Sequence, residues 1–177
     1  MSAQVFIDES HRKSRYLLIA TFIPINEVNS LRRKLRQAPT KPGQTFHMTK
    51  ASNETRLKMC YLLTECKLNC LVIEHCDPSA TQFEARMACL DTLCKQSKIQ
   101  SASQMTLDFS TTEVQDCRIF EAHRSRLSSH FPIYRHSPSR HEPLLWVPDA
   151  VGWCWGRGGY WKKLIEPCVN SHIYLGK

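Results

Sequence analysis

The chain opens on a short apolar run, Val5-Phe6-Ile7, that ends in two acids, Asp8 and Glu9. A longer apolar run follows over residues 16–23, and the polar stretch between the two suits a hairpin connection. Strands are therefore predicted over residues 4–9 and 16–24. Val28, Leu31 and Leu35 then recur at helical spacing, and the break at Pro39, Pro42 and Gly43 ends that helix. A second helix is predicted over residues 52–66 with Leu57, Cys60 and Leu63 inward.

The run Leu68-Asn69-Cys70-Leu71-Val72-Ile73-Glu74-His75 reads as the next strand. Ser79 and Gln82 have the spacing of a capping box, opening a helix that buries Phe83, Met87, Leu90 and Cys94. A strand over residues 103–109 and a helix from a Ser110/Glu113 capping box to about residue 128 come next. Residues 133–135 suggest a short final strand, and residues 136–143 a loop. The pattern of residues 144–165 predicts one terminal helix with Pro148 in its first turn or at a kink. Its glycines and tryptophans predict close packing on the sheet, with base stacking as the alternative.

These elements imply one α/β domain over residues 1–177, a central mixed β-sheet flanked by α-helices. The apolar fraction of 42% can fill one core. There is no apolar run long enough to span a membrane, and acids at positions 8 and 9 spoil a signal-peptide layout, so a cytoplasmic protein is expected. The nine cysteines are odd in number and form no C-x-x-C pair. They read as reduced core residues, with a zinc cluster from Cys60, Cys66, Cys70 or Cys76 as the alternative.

The net charge of +8 shifts attention to polyanions. Arg32, Arg33, Lys34 and Arg36 fall on the polar face of the first helix and are the candidate nucleic-acid-binding residues. Acids standing at strand ends or a helix mouth supply the complementary chemistry. Asp8, Asp108 and Asp149 are far apart in sequence but occupy such positions, as does Glu9 beside Asp8. Carboxylates brought together from separate elements hold hard cations such as Mg²⁺ or Mn²⁺. Two such ions about 3.5–4 Å apart activate water and neutralise the leaving oxygen in phosphodiester hydrolysis. Strand alternation points Asp8 and Glu9 to opposite faces, which favours Asp8. His47, between Phe46 and Met48, is the candidate proton-transfer group.

Phe6-Ile7-Asp8-Glu9-Ser10, Phe46-His47, Leu107-Asp108 and Leu145-Trp146-Val147-Pro148-Asp149-Ala150-Val151-Gly152 occur in this order over most of the chain. Together they resemble the motifs of domain-of-unknown-function family 3800, whose members are regarded as ribonuclease H-like. The resemblance implies a ribonuclease H-like fold with Asp8, Asp108 and Asp149 as the metal-holding acids and Glu9 and His47 as accessory groups. His11 stands where that family usually has Gly, Trp146 where it has Gln, and Pro148 where it has Ala.

The expected function is thus a metal-dependent nuclease acting on RNA or DNA. The alternative is a catalytically degenerate nucleic-acid-binding or effector subunit, with a protein partner in a larger complex. A protein-interaction module with purely structural acids is the third reading.

Overall fold

A computed structural model describes residues 2–12, 14–38, 44–109, 111–127 and 131–176. The first two apolar runs form β1 (Ala3–Arg12) and β2 (Arg15–Pro24), an antiparallel hairpin in which Asp8 faces Ile19. Nearly every residue of β2 is buried, the mark of a strand covered on both faces. The helices α1 (Ile25–Gln37) and α2 (Asn53–Glu65) follow, α2 opened by Ser52 accepting from the Thr55 amide at 3.2 Å. Next come β3 (Asn69–Cys76), α3 (Gln82–Cys94), the single turn α4 (Ser97–Gln100) and β4 (Gln104–Asp108). The chain continues with α5 (Glu113–Leu127) and β5 (Ile133–Ser137).

Among the described residues, six strands make one mixed sheet in the order β5-β4-β1-β2-β3-β6. β1, β2 and β3 are antiparallel neighbours, while β4 runs parallel to β1 and β5 parallel to β4. The expected α/β architecture, a mixed sheet flanked by helices, is therefore present. Alternation along the strands builds two cores. Phe6, Leu17 and Ile19 pack with residues of α1, α2 and the helix that follows β5. Val5, Ile7, Leu18 and Leu107 point the other way, among residues of α3 and α5. Six of the nine cysteines are buried and all nine are free thiols. No helix of the described residues is long and apolar enough to cross a membrane.

Several expectations are corrected. The predicted terminal helix is a 3₁₀ turn (Pro143–Leu145), α6 (Trp146–Arg157) and α7 (Gly159–Ile165). Gly158 and Gly159 separate the two helices at φ of 74° and 53°, a backbone region that side chains disfavour. Pro148 sits in the first turn of α6, where its missing N–H costs nothing. An unpredicted strand, β6 (Val169–Gly176), pairs parallel with β3. As an edge strand with mostly exposed or half-buried side chains, it carries a weak apolar signal.

The α3 capping box is Thr81 with Glu84, not Ser79 with Gln82. Its buried stripe is Ala85, Arg86, Cys89, Leu90, Leu93 and Cys94, whereas Phe83 is 46% exposed and Met87 only partly buried. Phe83 stands in the first turn of α3, before this stripe begins, and faces outward. In α2, Met59 joins Cys60 and Leu63 in the core, with Leu57 half-buried. The Ser110 cap and the break at residues 39–43 lie outside the described residues.

Trp153 and Trp155 are buried and Trp161 is half-buried, its ring centre 5.2 Å from that of Trp153, so the tryptophans pack, while the neighbouring Tyr160 is exposed. Gly152 lets α6 approach the hairpin. A Cβ there would stand 2.6 Å from Ile19 Cδ1 and 3.2 Å from Ser10 Cβ. Ala at 152 trades about 1 kcal/mol of helix propensity against that clash. Val adds two methyls in a filled core, and Gly152→Val is expected to cost about 3 kcal/mol in chemical denaturation. A loss no larger than that of Gly152→Ala would contradict this packing.

Candidate active site

Ile7 pairs with Leu107 across the parallel β1/β4 ladder. One step further, Asp8 and Asp108 emerge on neighbouring strands about 4.8 Å apart. Both point to the side of the sheet that α6 covers, and α6 carries Asp149 in its first turn. The close approach at Gly152, one turn further on, holds that turn against β1. The Asp149 carboxylate accepts the Met48 amide at 2.9 Å, which fastens the segment containing His47 to the same place. Asp108 accepts from the amides of Phe109 at 2.9 Å and Ser139 at 3.0 Å.

Electrostatics tie these groups together. Burial pushes the Asp8 carboxyl well above the ordinary carboxylate range, and the charges of Asp149 and Asp108 push it further, with Arg86 opposing. Asp149 is raised by burial and by Asp108, against the Met48 amide and His47. Burial also raises Asp108, against the Phe109 and Ser139 amides, His47 and Arg86. All three aspartates are half-buried, so the site is open to solvent. The sequence-predicted aspartates and His47 thus converge from β1, β4, α6 and the segment before α2.

Glu9 takes a different course. It borders a small cavity of about 60 Å³ with Asp8, Asp108 and Arg86. Its carboxylate, however, is turned to the opposite layer, where it pairs with Arg86 and accepts Tyr16 Oη at 2.7 Å. Arg86, 5% exposed, also forks onto Asp116 at 2.9 and 2.8 Å, and His136 Nε2 lies 2.9 Å from the same acid. Burial would raise the Asp116 carboxyl, but Arg86 and His136 hold it below its ordinary value.

Sequence reading missed Arg86 and Asp116, although a signal existed. Arg86 falls on the inward stripe of α3, and Asp116 shares the inward stripe of α5 with Phe120 and His123. A charge on a buried stripe requires a buried partner.

Of the basic residues on α1, Arg32 is occupied by Glu142, with contacts of 3.0 and 2.9 Å. Arg33, Lys34 and Arg36 are exposed.

Hard carboxylate oxygens beside an imidazole fit a divalent cation in chemistry. Their present geometry is not closed around one. Among the described residues no three His, Cys, Asp or Glu side chains are grouped to hold a metal ion. One oxygen of Asp108 and one of Asp149 accept backbone amides, and the second oxygen of each makes no hydrogen bond among the described residues. No family model matches the chain, and no curated protein matches it.

The raised acids make the site destabilising when charged. Their stabilising contribution is complete at low pH and is lost as pH rises through the folded-state values. Asp8→Asn is therefore expected to raise Tm at pH 7 by roughly 2–4 °C, the shift for about 1 kcal/mol in a chain of this size. The gain should shrink as pH falls and the parent acid takes up its proton. A lower Tm at pH 7 would refute the repulsion. Conversely, Arg86→Met leaves Asp116 buried with His136 alone and Glu9 without its cation, and should cost about 3–5 kcal/mol in urea denaturation.

Proposed function

We propose that this chain is a ribonuclease H-like, metal-dependent nuclease that hydrolyses phosphodiester bonds of RNA or DNA. The observation that carries it is the convergence of Asp8, Asp108 and Asp149 from three elements, each carboxyl raised above its ordinary value by burial. A protein keeps such acids together at a cost in stability, and a strongly perturbed cluster in an open crevice is a functional-site signature. The crevice lies where β4 ends beside β1, the carboxyl end of neighbouring parallel strands.

In this reading Asp8, Asp108 and Asp149 hold Mg²⁺ or Mn²⁺, which supplies water activation and charge neutralisation. His47 lies beside two of the acids and moves a proton to the leaving group. Glu9 serves from the other face by fixing Arg86, whose charge steadies Asp8. The exposed Arg33, Lys34 and Arg36 attract the polyanion. The proposed resemblance to family 3800 rests on the same residues.

The backbone amides that occupy Asp108 and Asp149 favour a second reading, a nucleic-acid-binding subunit that has lost cleavage and works with a protein partner. The two readings separate in a cleavage assay on labelled RNA and DNA with Mg²⁺, Mn²⁺ or EDTA. Cleavage should require the metal and fall by at least about a hundredfold in Asp8→Ala or Asp149→Ala, as for loss of a principal electrostatic group. Equal rates in EDTA, or in the variants, would sink the nuclease reading. Binding without cleavage by the parent protein would select the second.

A further inference from the structure

A cleft of about 520 Å³ is bordered by Asp149, Ser10 and Trp153. Three guanidinium groups line it, each from a different element: Arg12 of β1, Arg56 of α2 and Arg157 of α6. All three gather on one indole. Arg56 lies 4.6 Å from the Trp153 ring centre, and Arg12 and Arg157 each lie 5.7 Å from it. Such contacts are favourable, but they do not cancel the repulsion among three cations.

Among the described residues, none of the three arginines forms an ion pair with a carboxylate. Arg56 is instead fixed by the Met48 carbonyl at 2.8 Å, the Thr49 carbonyl at 3.1 Å and Asn53 Oδ1 at 2.8 Å. Of the acids bordering the cleft, Glu9 is taken by Arg86, and Asp149 accepts the Met48 amide. The position of Arg157 in the last turn of α6 has a bland explanation in the helix dipole. Arg12, on a strand, and Arg56, in the first turn of α2, have no such explanation. The cleft is thus a preorganised cationic seat that shares Asp149 with the candidate active site.

We propose that Arg12, Arg56 and Arg157, arrayed on Trp153, seat the phosphate backbone of a nucleic-acid strand and lead it to Asp149. The proposal rests on the nuclease reading for the identity of the polyanion. Trp153 is 7% exposed and covered by guanidiniums, so it supports the arginines and does not stack on bases. The contacts are therefore to phosphates and indifferent to sequence. They also make this cleft, rather than the face of α1, the principal backbone site.

The test is fluorescence anisotropy with a labelled oligodeoxythymidylate in EDTA, which prevents metal-dependent cleavage, over a series of salt concentrations. Arg12→Ala/Arg157→Ala should raise Kd at least about tenfold and lower the salt slope by roughly 1.4, at about 0.7 per lost contact on a single strand. Arg12→Lys/Arg157→Lys keeps the charges and should keep the slope, which separates lost contacts from misfolding. Arg33→Ala/Lys34→Ala/Arg36→Ala removes only long-range attraction and should raise Kd by less than the cleft pair does.

An alanine pair that binds with unchanged Kd and slope would overturn the proposal, as would a parent protein with no affinity for the oligonucleotide. Arginine-dependent binding by a protein that never cleaves would defeat the nuclease reading and leave this one standing. Metal-dependent cleavage with arginine-independent binding would do the reverse.

Discussion

Two consecutive carboxylates on one strand cannot face the same side of a sheet, and the rest of this protein is arranged around that constraint. Asp8 and Glu9 occupy the half-buried end of β1, between two helical layers. On one side Glu9 meets Arg86, which is shared with Asp116 and bordered by Tyr16 Oη. The acids of that layer are paired from within. On the other side Asp8 meets more acid, and its carboxyl is raised well above its ordinary value. One face of β1 is a satisfied ion network and the other carries unbalanced negative charge.

The unbalanced side is assembled by close packing. Gly152 allows α6 to lie against β1 and β2, so that Asp149, one turn earlier, reaches the end of the sheet. The Met48 amide then binds Asp149 and fixes the segment that carries His47. Glu142, buried and held by Arg32, ties α1 to the turn preceding α6. An arginine that looks like free surface charge is thereby used to position the helix that carries the last acid. The cationic cleft completes a polarity, negative at the strand ends and positive beyond Asp149.

Much of this was legible because it depends on local periodicity. The five strands through residue 137 and the helices at 28–35 and 52–66 follow from apolar spacing, as does the division of Asp8 from Glu9, and the helix at 113–127 follows from its capping signal. Asp149, Trp153 and Arg157 also stand at i, i+4 and i+8 of one helix, a spacing that places them on one side and could have pointed to the cleft. Other features were hidden for physical reasons. The orientation of α3 is set by what its small residues and Arg86 meet, not by its largest apolar side chains. β6 is an edge strand with little apolar pattern, and the split between α6 and α7 turns on two glycines whose φ the sequence does not state.

The sequence by itself determined most element types, β6 and the break between α6 and α7 excepted, the face of β1 on which each acid lies and the excess of positive charge. Those follow from side-chain period and composition, which need no knowledge of distant residues. Only the tertiary structure decided which charges find partners. Arg32 and Arg86 are consumed by buried acids, whereas Arg12, Arg56 and Arg157 converge without any. Pairing across more than a hundred residues, as between Arg32 and Glu142, depends on where the folded backbone carries each side chain. No local pattern encodes that distance.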